Sequence, residues 1–165
     1  MSNFLPTEYN TPQTGNYMRL AVGQNKFRAL SSAITGYEYF NSESRPVRSQ
    51  EPFDETPGIK PGNKVKHFWS FVVWNYGAKR VQILEIVQKS VQDQILGYVK
   101  NADWGDPKDY DITIIREGTG LNDTSYQVQP SPHKPVEREI EETFKKMKID
   151  LELLFVGGDP FNPEK

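Results

Sequence analysis

The chain of 165 residues contains no cysteine, which removes disulfides and every thiolate metal site at once. Its only histidines are His67 and His133, so a structural zinc would lack its usual ligands. It has no long apolar run, and the opening Met-Ser-Asn-Phe-Leu-Pro has neither a basic n-region nor an h-region. Nothing therefore marks a bilayer span or export, and a cytoplasmic setting is expected. Also missing are a Gly-rich phosphate loop with its Lys-Ser/Thr, a His-rich metal pair, and a Ser, His and Asp set at a recognisable motif. No cofactor is expected, and the chain reads as a binder rather than an enzyme.

What remains is ordinary globular composition: 36% hydrophobic, 12% aromatic and 25% charged residues, enough for one sizeable core. The net charge of -2 is unevenly spread. Residues 16–134 carry 15 Lys plus Arg against 13 Asp plus Glu, whereas residues 135–165 carry 5 against 8. A mildly basic body followed by an acidic end is the polarity of a nucleic-acid binder with a partner-facing tail, and equally of an unremarkable surface.

Pro6, Pro12 and Gly15 make residues 1–15 a loose arm. Two strand-like runs, 26–30 and 33–40, follow and either pair or form one bent strand. Residues 41–63 hold four prolines and two glycines without a period, and read as a long inserted loop carrying Arg45 and Arg48. The segment KHFWSFVVWN, 66–75, is the strongest strand signal, and 76–79 turn it into a second strand, 80–86. Ser90, with Asp93 three residues on, is expected to cap a short helix reaching Lys100 with Val91, Ile95, Leu96 and Val99 at helical spacing. Strands are then expected at 110–116 and 124–129. A second, amphipathic helix is expected over 136–148, with Pro135 at its start, Glu137 and Glu139 in its first turn, and Lys145, Lys146 and Lys148 in its last.

Five or six short strands with one helix before the last pair, and an amphipathic helix at the C-terminal end, predict a mainly β fold: an OB-type Greek-key barrel over 16–130, followed by a helix and tail over 131–165. A barrel-like β sandwich shares most of these cues. In 66–75, His67, Trp69, Phe71 and Val73 share one pleat face, and Phe68, Ser70, Val72 and Trp74 the other. A strand exposed on one side should alternate apolar and polar. Rings on both faces mean either that both are buried or that one is a binding platform, on which bases could stack beside Lys and Arg. Tyr37 and Tyr39 share a half-polar face with Thr35. The candidate stacking residues are thus Tyr37, Tyr39, Trp69 and Trp74, and the candidate phosphate contacts Arg28, Arg45, Arg48, Lys66 and Lys79.

The blocks KFRALSSAITGYEYF, KHFWSFVVWN running through VQILEIVQKSV, WGDPKDYDITIIREG and TSYQVQP resemble the OB-fold single-stranded DNA-binding proteins of tailed bacteriophages, over residues 16–130. The resemblance implies a cytoplasmic replication and recombination protein that coats single strands and contacts replication partners through its C-terminal segment. Asp159, Pro160 and Phe161 are the candidate partner-docking tip, and the alternative for 151–165 is a final strand packed on the body. A structural zinc known in some such proteins does not carry over without cysteines, and the ending Pro163-Glu164-Lys165 departs from the highly acidic terminus the family leads one to expect.

Two other readings stay open. Asp103, Asp106, Asp109 and Asp111 could serve a magnesium-dependent nuclease, since hard cations want several carboxylate oxygens, although Gly105 and Pro107 make the run read more simply as turn chemistry. A structural or protein-docking barrel of a virion or replication complex would bury all the rings.

Overall fold

A computed structural model describes residues 4–5, 15–120 and 122–164, so most of the expected N-terminal arm lies outside the described residues. The chain forms strands β1 (Gly23–Ala29), β2 (Ile34–Phe40), β3 (Pro46–Ser49), β4 (Lys66–Asn75) and β5 (Arg80–Ile86). Helix α1 (Lys89–Lys100), a 3-10 turn (Pro107–Asp109), β6 (Asp111–Glu117), β7 (Ser125–Pro130), helix α2 (Arg138–Met147) and a 3-10 helix (Leu151–Val156) follow. The strands make one seven-stranded antiparallel sheet in the order β3-β2-β4-β1-β6-β7, with β5 also on β4.

Strand β4 has three neighbours. Its first half pairs with β2, with Ile34 opposite Ser70, and its second half pairs with β1 on the same edge, with Ala29 opposite Val73. On its other edge it pairs with β5, from Trp69 opposite Ile86 to Asn75 opposite Arg80. β1 and β2 are thus one bent strand, the second of the two expected arrangements. At the bend the Leu30 and Ser31 N–H groups both donate to the Val72 carbonyl, at 2.8 and 3.4 Å, and the Ser31 hydroxyl accepts from the Val72 N–H at 2.9 Å. A serine side chain thus fills a ladder position while the backbone bulges past it.

Both faces of β4 are covered. On one, Phe71 and Val73 join Phe27, Leu84, Ile86, Ile112, Ile114 and Val128 in the main core, closed by Val91 and Ile95 of α1 and by Tyr110. On the other, Val72, Val81 and Ile83 are covered by Phe144 and Met147 of α2 and by Ile149, Leu151 and Phe161. There too Phe155 of the last 3-10 helix lies 6.0 Å from Phe68, ring centre to ring centre. We call these the α1 face and the C-terminal face.

The sheet is open: among the described residues no strand pairing joins β7 to β3 or β5. Helix α1 spans the gap with two glutamines. Gln94 accepts from the Val128 N–H at 2.9 Å and donates to the Tyr126 carbonyl at 3.0 Å, satisfying the free edge of β7. Gln92 donates to the carbonyls of Ile86 at 2.9 Å and His67 at 3.0 Å. The helix replaces a strand pairing with side-chain amides, which answers the need of edge backbone groups for partners.

Four expectations are corrected. The loop over 41–63 contains β3, which opens on Pro46, a position at the start of an edge strand that tolerates the missing N–H. Ser90 does not cap α1; Gln88 holds that position without a side-chain cap, its amide oxygen accepting from Val87 instead. Helix α2 starts at Arg138 rather than 136, with Glu139 and Glu141 in its first turn and Lys145 and Lys146 in its last. Residues 151–156 pack on the body as a 3-10 helix rather than a strand, ended by Gly157 at φ 74°.

The C-terminal cover rests on a slot at Gly36. A Cβ there would collide with the Ser49 carbonyl oxygen and press to 3.1 Å from Phe155 and 3.2 Å from Phe68. Gly36→Ala is expected to lower unfolding stability by about 1–3 kcal/mol, the usual cost of overpacking, read as a lower urea midpoint at unchanged slope.

Candidate functional site

The two-sided burial of β4 decides which rings face solvent. Tyr39 is 2% exposed: residues 53–57 of the long loop fold back over it, its hydroxyl donating to the Pro57 carbonyl at 3.0 Å and its ring lying 4.9 Å from Phe53. Trp74 packs into the cluster beneath α2. Tyr39 therefore offers no face for stacking, and Trp74, half-buried like Trp69, has one side taken up by the C-terminal segment. Tyr37 and Trp69 remain half-buried on the α1 face, near the N-terminal end of β4. Tyr37 sits opposite His67 in the strand register with ring centres 5.1 Å apart, and the imidazole is fixed by a 2.8 Å hydrogen bond between Nδ1 and the Gly36 carbonyl.

Trp69 forms the wall shared by two adjoining recesses. One, of about 350 Å³, lies between the β1–β2 bend and α1, lined by Phe27, Ala29, Phe71, Ile95, Val99 and Ile112, with Ser31, Ser32 and Lys108 at its rim. The other, of about 420 Å³, is bounded by Lys66, His67, Val87, Lys89, Gln92 and Leu96. Together they make a mainly apolar cleft whose ends carry lysines and, in the same lining, Asp93 and Asp106. Lys66 and Lys89 are exposed at one end, Lys89 paired with Asp93 at 2.7 Å. Lys108 stands at the other, its Nζ donating to the Ser32 hydroxyl at 3.0 Å and lying 3.6 Å from Asp106.

Of the expected phosphate contacts, the structure brings only Lys66 to this cleft. Lys79 lies in the turn at the far end of the β4–β5 hairpin, at φ 54°. Arg45 is exposed in the β2–β3 connection, 3.8 Å from Glu43. The other two arginines are structural. Arg28 is 1% exposed: its Nε donates to Asp111 Oδ1 at 2.8 Å, and its Nη atoms donate to the carbonyls of Lys108 and Lys134. Arg48 bridges Glu38 at 3.1 Å and Glu85 at 3.4 Å under the C-terminal face, with its guanidinium 5.7 Å from the Phe68 ring centre. A buried arginine already matched to carboxylates would leave an uncompensated charge if it turned outward, so neither is free for phosphate.

The aspartate run does not converge. Asp106 accepts from the Lys108 N–H at 2.9 Å and caps the 3-10 turn, as turn chemistry predicts. Asp111 is fully buried against Arg28. Among the described residues no three His, Asp or Glu side chains gather as a metal would need. The expected docking tip is also corrected: Pro160 is buried and accepts from the Asp150 N–H at 2.9 Å, Asp159 accepts from the Phe161 N–H at 3.0 Å, and Phe161 packs against the sheet. Its apolar residues pack on the body, Pro160 buried and Phe161 half-buried.

Lys89, Lys108, His67, Leu96 and Val99 border the cleft but were not singled out by sequence. His67 shares a pleat face with Trp69, a signal readable from the strand alone. Lys108 lies inside the aspartate run, and nothing local places it beside Ser32, 76 residues away. Comparison of the chain with protein-family models, with curated proteins and with solved structures gave no match.

The Glu38–Arg48–Glu85 cluster has a pH signature. Burial first, then the hydrogen bond and repulsion from Glu38, push the Glu85 carboxyl up to about 8 against the opposing pull of Arg48. Its folded-state value exceeds its ordinary one, so the folded chain holds the extra proton. The associated stability is complete below the ordinary carboxylate range and is lost as pH rises toward about 8. In Glu85→Gln, urea midpoints are expected to fall less between acid and pH about 8 than in the parent, with the variant gaining relative stability at the alkaline end.

Proposed function

We propose that the chain binds single-stranded DNA with little sequence preference, seating bases in the Trp69 cleft of an OB-type frame whose gap is closed by α1. The observation that carries this reading is the half-buried Trp69 ring, standing between two recesses with lysines at both ends of the cleft. Every base offers a π-face, and each base–ring stack contributes about 1–3 kcal/mol regardless of base identity. Lysine ammonium groups at the ends suit a phosphate backbone, where charge rather than bidentate geometry is required. The bent strand crossing β4, the helix before the last strand pair and the resemblance of the sequence blocks to phage single-stranded DNA-binding proteins support the OB-type frame. A cytoplasmic role in phage replication and recombination is part of the proposal. Among the described residues no helix is long and apolar enough to cross a membrane.

A protein-docking reading draws on Leu96 and Val99, exposed at 39% and 42% along the same cleft. The two readings separate in one experiment. In Trp74→Phe/Trp104→Phe, which leaves Trp69 as the single indole, oligo-dT is expected to quench fluorescence at low salt. Log affinity should fall with log salt at about -0.7 per phosphate contacted. Trp69→Ala should weaken binding about 5- to 150-fold, the equivalent of one lost stack. Absence of quenching or of a mobility shift at low salt overturns the DNA reading and leaves the docking one.

A further inference from the structure

A second cationic feature lies on the opposite face of β1 from the cleft. Asp111 at the start of β6 is fully buried, and its Oδ1 accepts from Arg28 Nε and from the Tyr76 hydroxyl, both at 2.8 Å. Its Oδ2 is buried with no hydrogen bond, and two lysines approach it more loosely: Lys134 at 3.4 Å and Lys26 at 3.8 Å. Three cations therefore surround one carboxylate that Arg28 already neutralises. Glu137, felt at Tyr76, and Asp109, whose carbonyl accepts from the Lys134 N–H, are further acidic residues on the neighbouring segments.

The lysines are the accessible members, with side chains 44% and 55% exposed, while Arg28 and Asp111 are sealed beneath them. Lys26 is held over the Tyr76 ring, 4.9 Å from its centre. Lys134 is tied at its backbone, its N–H donating to the Asp109 carbonyl at 3.1 Å and its carbonyl accepting from Arg28 at 3.0 Å. Two ammonium groups near one oxygen atom, anchored from below and open above, are placed for the oxygens of a single phosphoryl group.

The pair is linked to the cleft through the 3-10 turn Pro107–Asp109. Lys108 sends its side chain to Ser32 at the cleft rim, while its carbonyl accepts from Arg28 at 3.3 Å. We infer that Lys26 and Lys134 form a phosphoryl-binding site, and that a strand leaving the cleft past Lys108 places a backbone phosphate there. The second half of this inference rests on the proposed DNA reading; the first does not.

Lys26→Gln/Lys134→Gln removes both ammonium charges while Asp111 keeps its 2.8 Å bonds from Arg28 and Tyr76. The independent arm titrates inorganic pyrophosphate into parent and variant with isotopically labelled lysine. Shifts of two lysine signals in the parent that vanish in the variant support the site, and no shift in the parent overturns it. The DNA arm uses oligo-dT of about four and about twelve nucleotides, within the range one OB-type domain occupies. The inference predicts that the short oligonucleotide binds both proteins equally, while the long one binds the variant more weakly with a salt slope shallower by about 0.7, one phosphate's worth. Equal binding of the long oligonucleotide to both proteins, or equal weakening at both lengths, overturns the strand path while leaving the cleft intact. If neither length binds the parent, the cleft reading fails together with the path, and pyrophosphate alone decides the site.

Discussion

The burial of β4 on both faces is the constraint on which the rest depends. A ten-residue strand with three strand neighbours, a main core on one side and the C-terminal segment on the other has its exposed residues, Lys66 and His67, at its N-terminal end. That end holds Lys66, His67 and Trp69, and it borders the gap that α1 fills. The cleft therefore exists because the sheet does not close. Where a further strand pairing would have continued the ladder, Gln92 and Gln94 hold the backbone at two edges and leave recesses beside Trp69. The open sheet and the candidate site are one feature seen from two sides.

The same burial sorts the cations. Arginine, with its planar fork of donors, is used inside, where Arg28 ties β1 to β6 and Arg48 ties β3 to β2 and β5. Such pairs fix register more than they add stability, because removing two charges from water costs nearly what their attraction returns. Removing one partner alone is another matter and costs about 3–5 kcal/mol. The lysines are left for the surface, at Lys66, Lys89 and Lys108 around the cleft and at Lys26 and Lys134 beyond the 3-10 turn. Compact charges on flexible stems meet phosphates without reading base edges, which is the chemistry a sequence-tolerant binder requires.

Local pattern carried the elements well and the site poorly. The β4–β5 hairpin was legible to the residue because a Gly-containing turn joins two runs rich in aromatic and β-branched residues, and the bent first strand was one of two arrangements its sequence allowed. β3 was hidden by Pro46 and by its length of four residues. Rings on both pleat faces posed a choice between platform and core that composition cannot make, since the answer lies in a cover more than 60 residues away along the chain. Arg28 reads as a surface cation until Asp111 is placed beside it, 83 residues on. The apolar stripe Val136, Ile140, Phe144 and Met147 announced that α2 would bury something, but not that the thing buried would be the far face of β4.

In the proposed binding mode, bases meet the protein at Trp69 and not on the face beneath the C-terminal segment. Photo-crosslinking of oligo-dT carrying 5-iodouracil, followed by peptide mass spectrometry, tests it directly. Adducts are expected at Trp69, with His67 and Tyr37 as the next most modified rings. Adducts confined to Trp74, with Trp69 and His67 unmodified, would contradict it.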